Sequence, residues 1–293
     1  MTIVYLSEKN NFTCYFKLMK SFLIFYLKKF FKTLIRIFDF QAIRFSPDEL
    51  LITRNLEKSY SRLQLEGSVR AIKFITDRNF KEFLYKNLEF LPYGLEVCKS
   101  LYLFREKRYG FFVEFGASDG IEFSNTLVLE KLYNWSGILV EPNRSKHKLL
   151  SENREVIIDT RAVWTESGQM IDFLEVSVGG LSGLTTSLRS VNSHKKRKNL
   201  GAVTYKVETV SLNDLLYSYN CPPEFDFLSL DTEGSELKIL KKLNCQFFRP
   251  KVICIEFYGN QEARLIIQFM VNLGYKRVIF SAYNEDNLWF TLK

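Results

Sequence analysis

The chain has 293 residues, 46% of them apolar, with a formal net charge of +8 and a pI near 9.1. That composition supports a sizeable core and excludes global disorder; the basic balance suits acidic partners without choosing among phosphorylated substrates, anionic lipids and nucleic acid. Five scattered cysteines, no C-x-x-C pair and two histidines argue against a zinc site or a disulfide framework, and favour a reducing, cytoplasmic compartment.

Residues 21–27 are very apolar, but Lys28 and Lys29 interrupt them. No uncharged stretch approaches the ~18–20 residues that span a bilayer. No small-residue cleavage site follows the run, so it does not read as a signal peptide. Between Lys17 and Arg36 stand six basic residues and no acid, among Phe, Leu and Ile. That composition suits a helix in a membrane interface, making peripheral contact with the inner face of a membrane. A helix packed on the following domain, with solvated lysines, explains it as well. Residues 1–45 are read as this separate segment.

Ser46, Pro47, Asp48 and Glu49 form a helix start: a cap, a first-turn proline and two acids at the positive helix end. Helical patterning continues to about Leu91. Pro92 to Gly94 breaks it, and a short helix is expected over 95–104. Residues 46–109 thus read as a helical extension, a candidate lid.

From residue 110 the pattern alternates between buried strands and helices, as in a mostly parallel sheet covered on both faces. Strands are expected at 111–115, 137–140, 156–163, 225–230 and 251–256, with two closing strands at 276–280 and 288–292. The clearest helix places Ala263, Ile266, Ile267, Met270 and Val271 on one face. Residues 168–178 read as a short extra hairpin and 179–187 as a mobile loop. The basic run at 194–198 fits either a grip on phosphate or acidic glycan, or a solvated surface. It holds no aromatic residue to stack bases, so no nucleic-acid partner is expected.

Three strand ends carry polar motifs. The first strand runs into Gly116-Ala117-Ser118-Asp119-Gly120, a glycine turn that lets backbone approach a ligand. The second ends in Glu141-Pro142-Asn143, where an acid can grip two ribose hydroxyls. The strand at 225–230 ends in Asp231-Thr-Glu233-Gly234. Ser118 stands where a dinucleotide fingerprint needs its second glycine, which disfavours hydride-transfer dehydrogenases.

With these motifs in this order, the stretch from about 110 to 280 resembles the FkbM family of S-adenosylmethionine-dependent methyltransferases. The resemblance implies a Rossmann-like class I methyltransferase domain over 110–293: a seven-stranded, mostly parallel sheet whose last strand is antiparallel. It also implies S-adenosylmethionine as cofactor. Glu114, Gly116, Ala117, Ser118, Asp119 and Gly120 would cradle its methionine and ribose, and Asn125 its amino-acid end. Glu141 would accept the ribose hydroxyls, with Pro142 and Asn143 against adenine and Arg161 and Ala162 at its edge. Neither histidine lies in a core motif, so the candidate catalytic bases are Asp231, Glu233 and Glu256. No metal is assigned, although a divalent cation between these acids stays open. The expected acceptor is a small hydroxylated molecule, a sugar or glycan, free or lipid-linked, modified by O-methylation. A non-catalytic scaffold with the same fold, or an enzyme acting on nucleotide sugars, stays open beside this reading.

Overall fold

A computed structural model describes residues 74–105, 107–176, 182–185, 201–281 and 287–293. The segment at 17–36, the helix start at Ser46 and the basic run at 194–198 lie outside the described residues.

Among the described residues the first two helices are α1 (Arg78–Lys86) and α2 (Leu95–Phe104), joined by a tighter helical turn at Leu88–Tyr93. The Asp77 carboxylate starts α1 by accepting from the Phe80 N–H at 2.9 Å. The expected break and second helix are both present.

Strand β1 (Phe111–Phe115) leads through the glycine turn to α3 (Leu127–Tyr133) and β2 (Ser136–Val140). Next come α4 (His147–Asn153), β3 (Ile157–Asp159), β4 (Ala162–Trp164), β5 (Met170–Glu175) and β6 (Gly183–Leu184). The remainder is β7 (Val203–Ser211), α5 (Leu212–Ser218), β8 (Phe227–Leu230), α6 (Glu236–Leu240), β9 (Val252–Glu256), α7 (Gly259–Asn272), β10 (Tyr275–Val278) and β11 (Asn287–Leu292).

Seven strands make one sheet, ordered β10-β11-β9-β8-β1-β2-β3. Strand β11 runs antiparallel to both neighbours, and all other pairs are parallel. The order reverses at β1, so the ends of β1, β8 and β2 open onto a crevice, the usual ligand position in such sheets.

Both faces of the sheet are covered, and the side-chain alternation shows how. Val113, Phe115, Leu228, Leu230, Ile253 and Ile255 point to one face, against α5, α6 and α7. Phe112, Phe227, Cys254 and Trp289 point to the other, against α1, α2, α3 and α4. Burial on both faces is why the central strands read as continuous apolar runs. The α1 and α2 helices are part of this second layer. Phe80 is fully buried and packs 4.6 Å from the Phe280 ring, and Phe104 meets Trp135 at 4.7 Å. Their side chains complete the core, so the described part of the helical extension, residues 74–104, is a structural layer of the domain.

Two expectations change. The single strand expected over 156–163 is two strands in two sheets. Asp159 turns the chain between them by accepting from the Arg161 N–H at 2.8 Å and gripping its guanidinium at 2.6 Å. Beyond the turn, β4 pairs with β7 in a second sheet ordered β4-β7-β5-β6. The hairpin expected at 168–178 contributes β5, whose partners are β6 and the nine-residue β7. Strand β7 was missed in the sequence, although its Tyr205, Val207 and Thr209 alternate with polar residues.

Candidate active site

At the carboxyl ends of β8, β1 and β2 lies a cleft of about 230 Å³. Of the residues singled out from sequence, Gly116, Ser118, Glu141, Pro142, Asn143, Ala162, Asp231 and Glu233 line it. The others do not line it, and most have partners that explain their positions.

Gly116 has φ +76, and a Cβ there would lie 2.4 Å from the Asp231 carbonyl oxygen. Only glycine lets the first turn close onto the end of β8. Ser118 holds φ +49, a conformation uncommon for residues with a Cβ. Its N–H thereby reaches Glu141 Oε2 at 2.7 Å. The other oxygen of Glu141 accepts from the Asn143 N–H at 2.7 Å. Burial raises the Glu141 carboxyl to about 7, against the pull of these two N–H donors and of Lys146. Each oxygen keeps a lone pair for a further donor. His147, expected only as a helix residue, donates from Nε2 to the Glu141 carbonyl at 2.8 Å and steadies this loop.

Glu114 does not face the cleft. It is buried, and its carboxylate accepts from Ser124 Oγ at 2.9 Å, the Asn125 N–H at 2.5 Å and Thr126 Oγ1 at 2.5 Å. Beside it lies Arg154, whose side chain is wholly buried. Arg154 Nε donates to Glu130 at 2.5 Å; Nη1 donates to the Gly120 carbonyl and Ser124, and Nη2 to Thr126. A Cβ on Gly120 would meet the Arg154 chain at 2.5 Å, so this glycine serves packing. Asp119 closes the same turn by accepting from the Ile121 and Glu122 N–H groups. Ala117 is buried in the core, Asn125 Nδ2 donates to Ser229 at 2.9 Å, and Arg161 is held by Asp159. Replacing Arg154 with Met should cost about 3–5 kcal/mol, because two carboxylates lose their buried counter-charge. Urea unfolding at pH 7 would measure it, with a much smaller loss expected for Arg154→Lys.

Across the cleft, Asp231 and Glu256 extend from neighbouring strands and share a hydrogen bond. Burial, together with the surrounding acids, holds both carboxyls well above the usual range, so the pair keeps a proton. Glu256 Oε2 is buried without a hydrogen-bond partner. Oxygens of Asp231, Glu236 and Glu256 lie within 4.8 Å of one another, close enough to hold a cation. Glu236 is fully buried and accepts from the Thr232 and Gly234 N–H groups, which shapes the turn. Glu233 sits on that turn with φ +58 and accepts from the Tyr258 hydroxyl at 3.0 Å. A strained backbone at a polar cleft is a mark of a functional site.

Sequence reasoning missed part of the cleft wall. Phe173, Val176, Ser182, Gly183 and Leu184 come from the small sheet.

The model of the methyltransferase FkbM domain matches residues 114–277. This chain belongs to the FkbM methyltransferase family. Its members are S-adenosylmethionine-dependent methyltransferases, and that cofactor and class of reaction hold for this chain. Among solved structures, it is similar to the FkbM methyltransferase of Methylobacillus flagellatus KT at 14% identity and TM-score 0.39, over 90% of this chain and 70% of that one. It is similar to the precorrin-6y C5,15-methyltransferase of Geobacter metallireducens GS-15 at 10% identity and TM-score 0.38, over 66% and 84%. A methyltransferase from Pyrococcus furiosus follows at 13% and 0.35, over 66% and 79%. No curated protein matches. Among the described residues of this FkbM chain, no helix is long and apolar enough to cross a membrane.

The cleft fits the family cofactor. It offers a buried carboxylate with free acceptor capacity, a glycine turn too close-packed for a Cβ, and acids that favour a cationic ligand.

Proposed function

We propose that this chain methylates a hydroxyl of a sugar or glycan, free or lipid-linked, with Asp231 as the proton acceptor. The observation that carries the reading is the acid pair of Asp231 and Glu256 beside the cleft.

In this reading Glu141 accepts the two ribose hydroxyls through the lone pairs not used by Ser118 and Asn143. Gly116 and Ser118 pass close to the ribose and methionine, and Pro142, Asn143 and Ala162 lie against the adenine. When bound, S-adenosylmethionine supplies a methyl group on a positively charged sulfonium. As the new O–C bond forms and the C–S bond breaks, the electron pair stays on sulfur and the hydroxyl must lose a proton. Asp231 takes that proton. Its raised pKa brings it closer to the working pH, where a general base is most effective. Glu256 keeps the pair's own proton and holds Asp231 in place by hydrogen bonding. Glu233 and Tyr258 would orient the acceptor at the mouth.

A neutral, hydroxyl-rich acceptor suits this floor, because a phosphate or carboxylate would meet like charge. Transfer of tritiated methyl from the cofactor to a panel of free monosaccharides and polyprenol-linked sugars tests the reading. Label recovered as methyl ethers supports it. Label found only on amine acceptors in a parallel panel would overturn it.

A further inference from the structure

The cleft occupies one end of the main sheet, and the opposite end is basic. There the amino ends of the parallel strands β1, β8 and β9 lie side by side. Arg105, Lys107 and Arg108 precede β1, Arg249 and Lys251 precede β9, and all five are exposed. Contacts join them into one face. Asp226, just before β8, is buried and accepts from Lys107 Nζ at 2.6 Å and Lys251 Nζ at 3.1 Å. One carboxylate thus answers two ammonium groups, whose side chains keep 41% and 48% of their surface in water. The Arg249 N–H donates to the Pro223 carbonyl at 2.7 Å, which ties the segments before β8 and β9. Glu224 is exposed beside them, and Glu106 lies outside the described residues. Five described cations against two carboxylates leave this end positive.

Aromatic rings stand among these cations. Tyr109 is 75% exposed, although its N–H is tied to the Tyr133 carbonyl at 3.0 Å. Its φ is +58, where glycine or asparagine would sit at less cost than a bulky residue. Strain kept at an exposed ring points to use of the ring. Tyr217 and Phe247 are about half exposed, their rings 5.5 Å apart and each 4.8 Å from the buried Phe248. Exposed aromatics flanked by cations match the interface of an anionic bilayer: rings enter the headgroup layer, and cations meet the lipid charge. The sequence repeats this chemistry at 17–36, with six basic residues and no acid. The Phe, Leu and Ile of that stretch favour lipid over nucleic acid as the partner.

We propose that the end of the sheet opposite the cleft docks on an anionic membrane surface. Arg105, Arg108 and Arg249 supply its free charge, and Tyr109 enters the headgroup layer. The five-residue strands β1 and β9 then hold the cleft about 17 Å above that surface, opening away from the bilayer. An acceptor reaches it from the aqueous side.

Cosedimentation of the full chain with phosphatidylcholine vesicles, with and without phosphatidylserine, tests the docking. Binding is expected to the anionic vesicles and should weaken as salt is added. Arg105→Asn combined with Arg249→Gln should bind about 25-fold more weakly, from about 5-fold per cation at an anionic surface. Tyr109→Asn, which suits the local φ, should lose about 5-fold through the missing ring. Thermal midpoints should be unchanged in the arginine variant and no lower in Tyr109→Asn, so the losses report the surface and not the fold. S-adenosylhomocysteine should bind equally well on and off the vesicles. A wild type that ignores anionic vesicles would overturn the proposal. Undiminished binding by both variants would overturn it and leave residues 17–36 as the membrane contact. A DNA duplex that loses affinity in the variants while the vesicles do not would assign the face to nucleic acid. S-adenosylhomocysteine binding lost on vesicles would set the cleft against the bilayer and overturn the orientation.

Discussion

Replacing Glu141 with alanine lowers the affinity for S-adenosylhomocysteine by about 100-fold or more. The estimate follows from two charge-assisted hydrogen bonds to ribose, each worth about 1.5–3 kcal/mol. The Ser118 and Asn143 N–H groups lose their acceptor in the same variant, which adds to the loss. Glu141→Gln separates charge from shape: an amide can accept on one side only. The pH dependence carries the signature. Burial raises the Glu141 carboxyl to about 7 in the free protein. Hydroxyl donors favour its charged form, so the cofactor lowers that pKa on binding. Affinity should therefore rise as pH increases from about 6 to 8, with proton release, and level off above. Calorimetry in two buffers of different ionisation enthalpy would detect the released proton. In Glu141→Gln the affinity should be flat across this range. A wild-type affinity independent of pH would place the ribose elsewhere.

Asp231→Asn should lower kcat by about 100- to 10,000-fold, the span of general-base contributions. Affinity for S-adenosylhomocysteine should change little, because in the proposed function Glu141 and not Asp231 carries the ribose. The wild-type rate should climb with pH along a limb above the ordinary carboxylate range, and the Asn variant should lack that limb. Stability should move the other way. A carboxyl whose folded pKa is raised costs nothing below its unfolded pKa; the cost grows as pH rises from the unfolded to the folded value and is constant above. Removing Asp231 relieves repulsion from Glu233, Glu236 and Glu256. The Asn variant should thus have the higher thermal midpoint at pH 8, with the gain shrinking as pH falls towards the ordinary aspartate value. Lost activity with a gain in stability is the expected exchange at a site built for reaction. Equal kcat in wild type and Asp231→Asn would move the base role to Glu233, whose carboxylate accepts from Tyr258 at the mouth.

Much of this site was legible because its signals are local. The turn from Gly116 to Gly120 and the acids after two buried strands are contiguous, and strand ends on one side of a parallel sheet must gather together. Other residues were not placed by sequence, because their partners are set by the fold. Glu114 interrupts an apolar run and reads as a ligand group. In the fold it is closed off by Ser124, Asn125 and Thr126, with Arg154 from the end of α4 beside it. Asp119 differs, since its partners are local: it accepts from the Ile121 and Glu122 N–H groups of its own turn. The helices at 78–104 were legible as helices, but nothing in their spacing says which face of the sheet they cover.

The sequence alone determined the strand-and-helix alternation of the seven-stranded sheet and the three motifs that reach the cleft, since these follow from short-range periodicity and turn chemistry, and the resemblance of those motifs pointed to the family. Tertiary structure decided the rest. The neighbouring positions of β8 and β9 bring Asp231 to Glu256 and make two ordinary carboxylates share a proton. The turn at Asp159 sends β4 into a second sheet, and that sheet adds Phe173, Gly183 and Leu184 to the cleft wall. Strand order and sheet pairing are long-range choices, and the chemistry of this cleft depends on them.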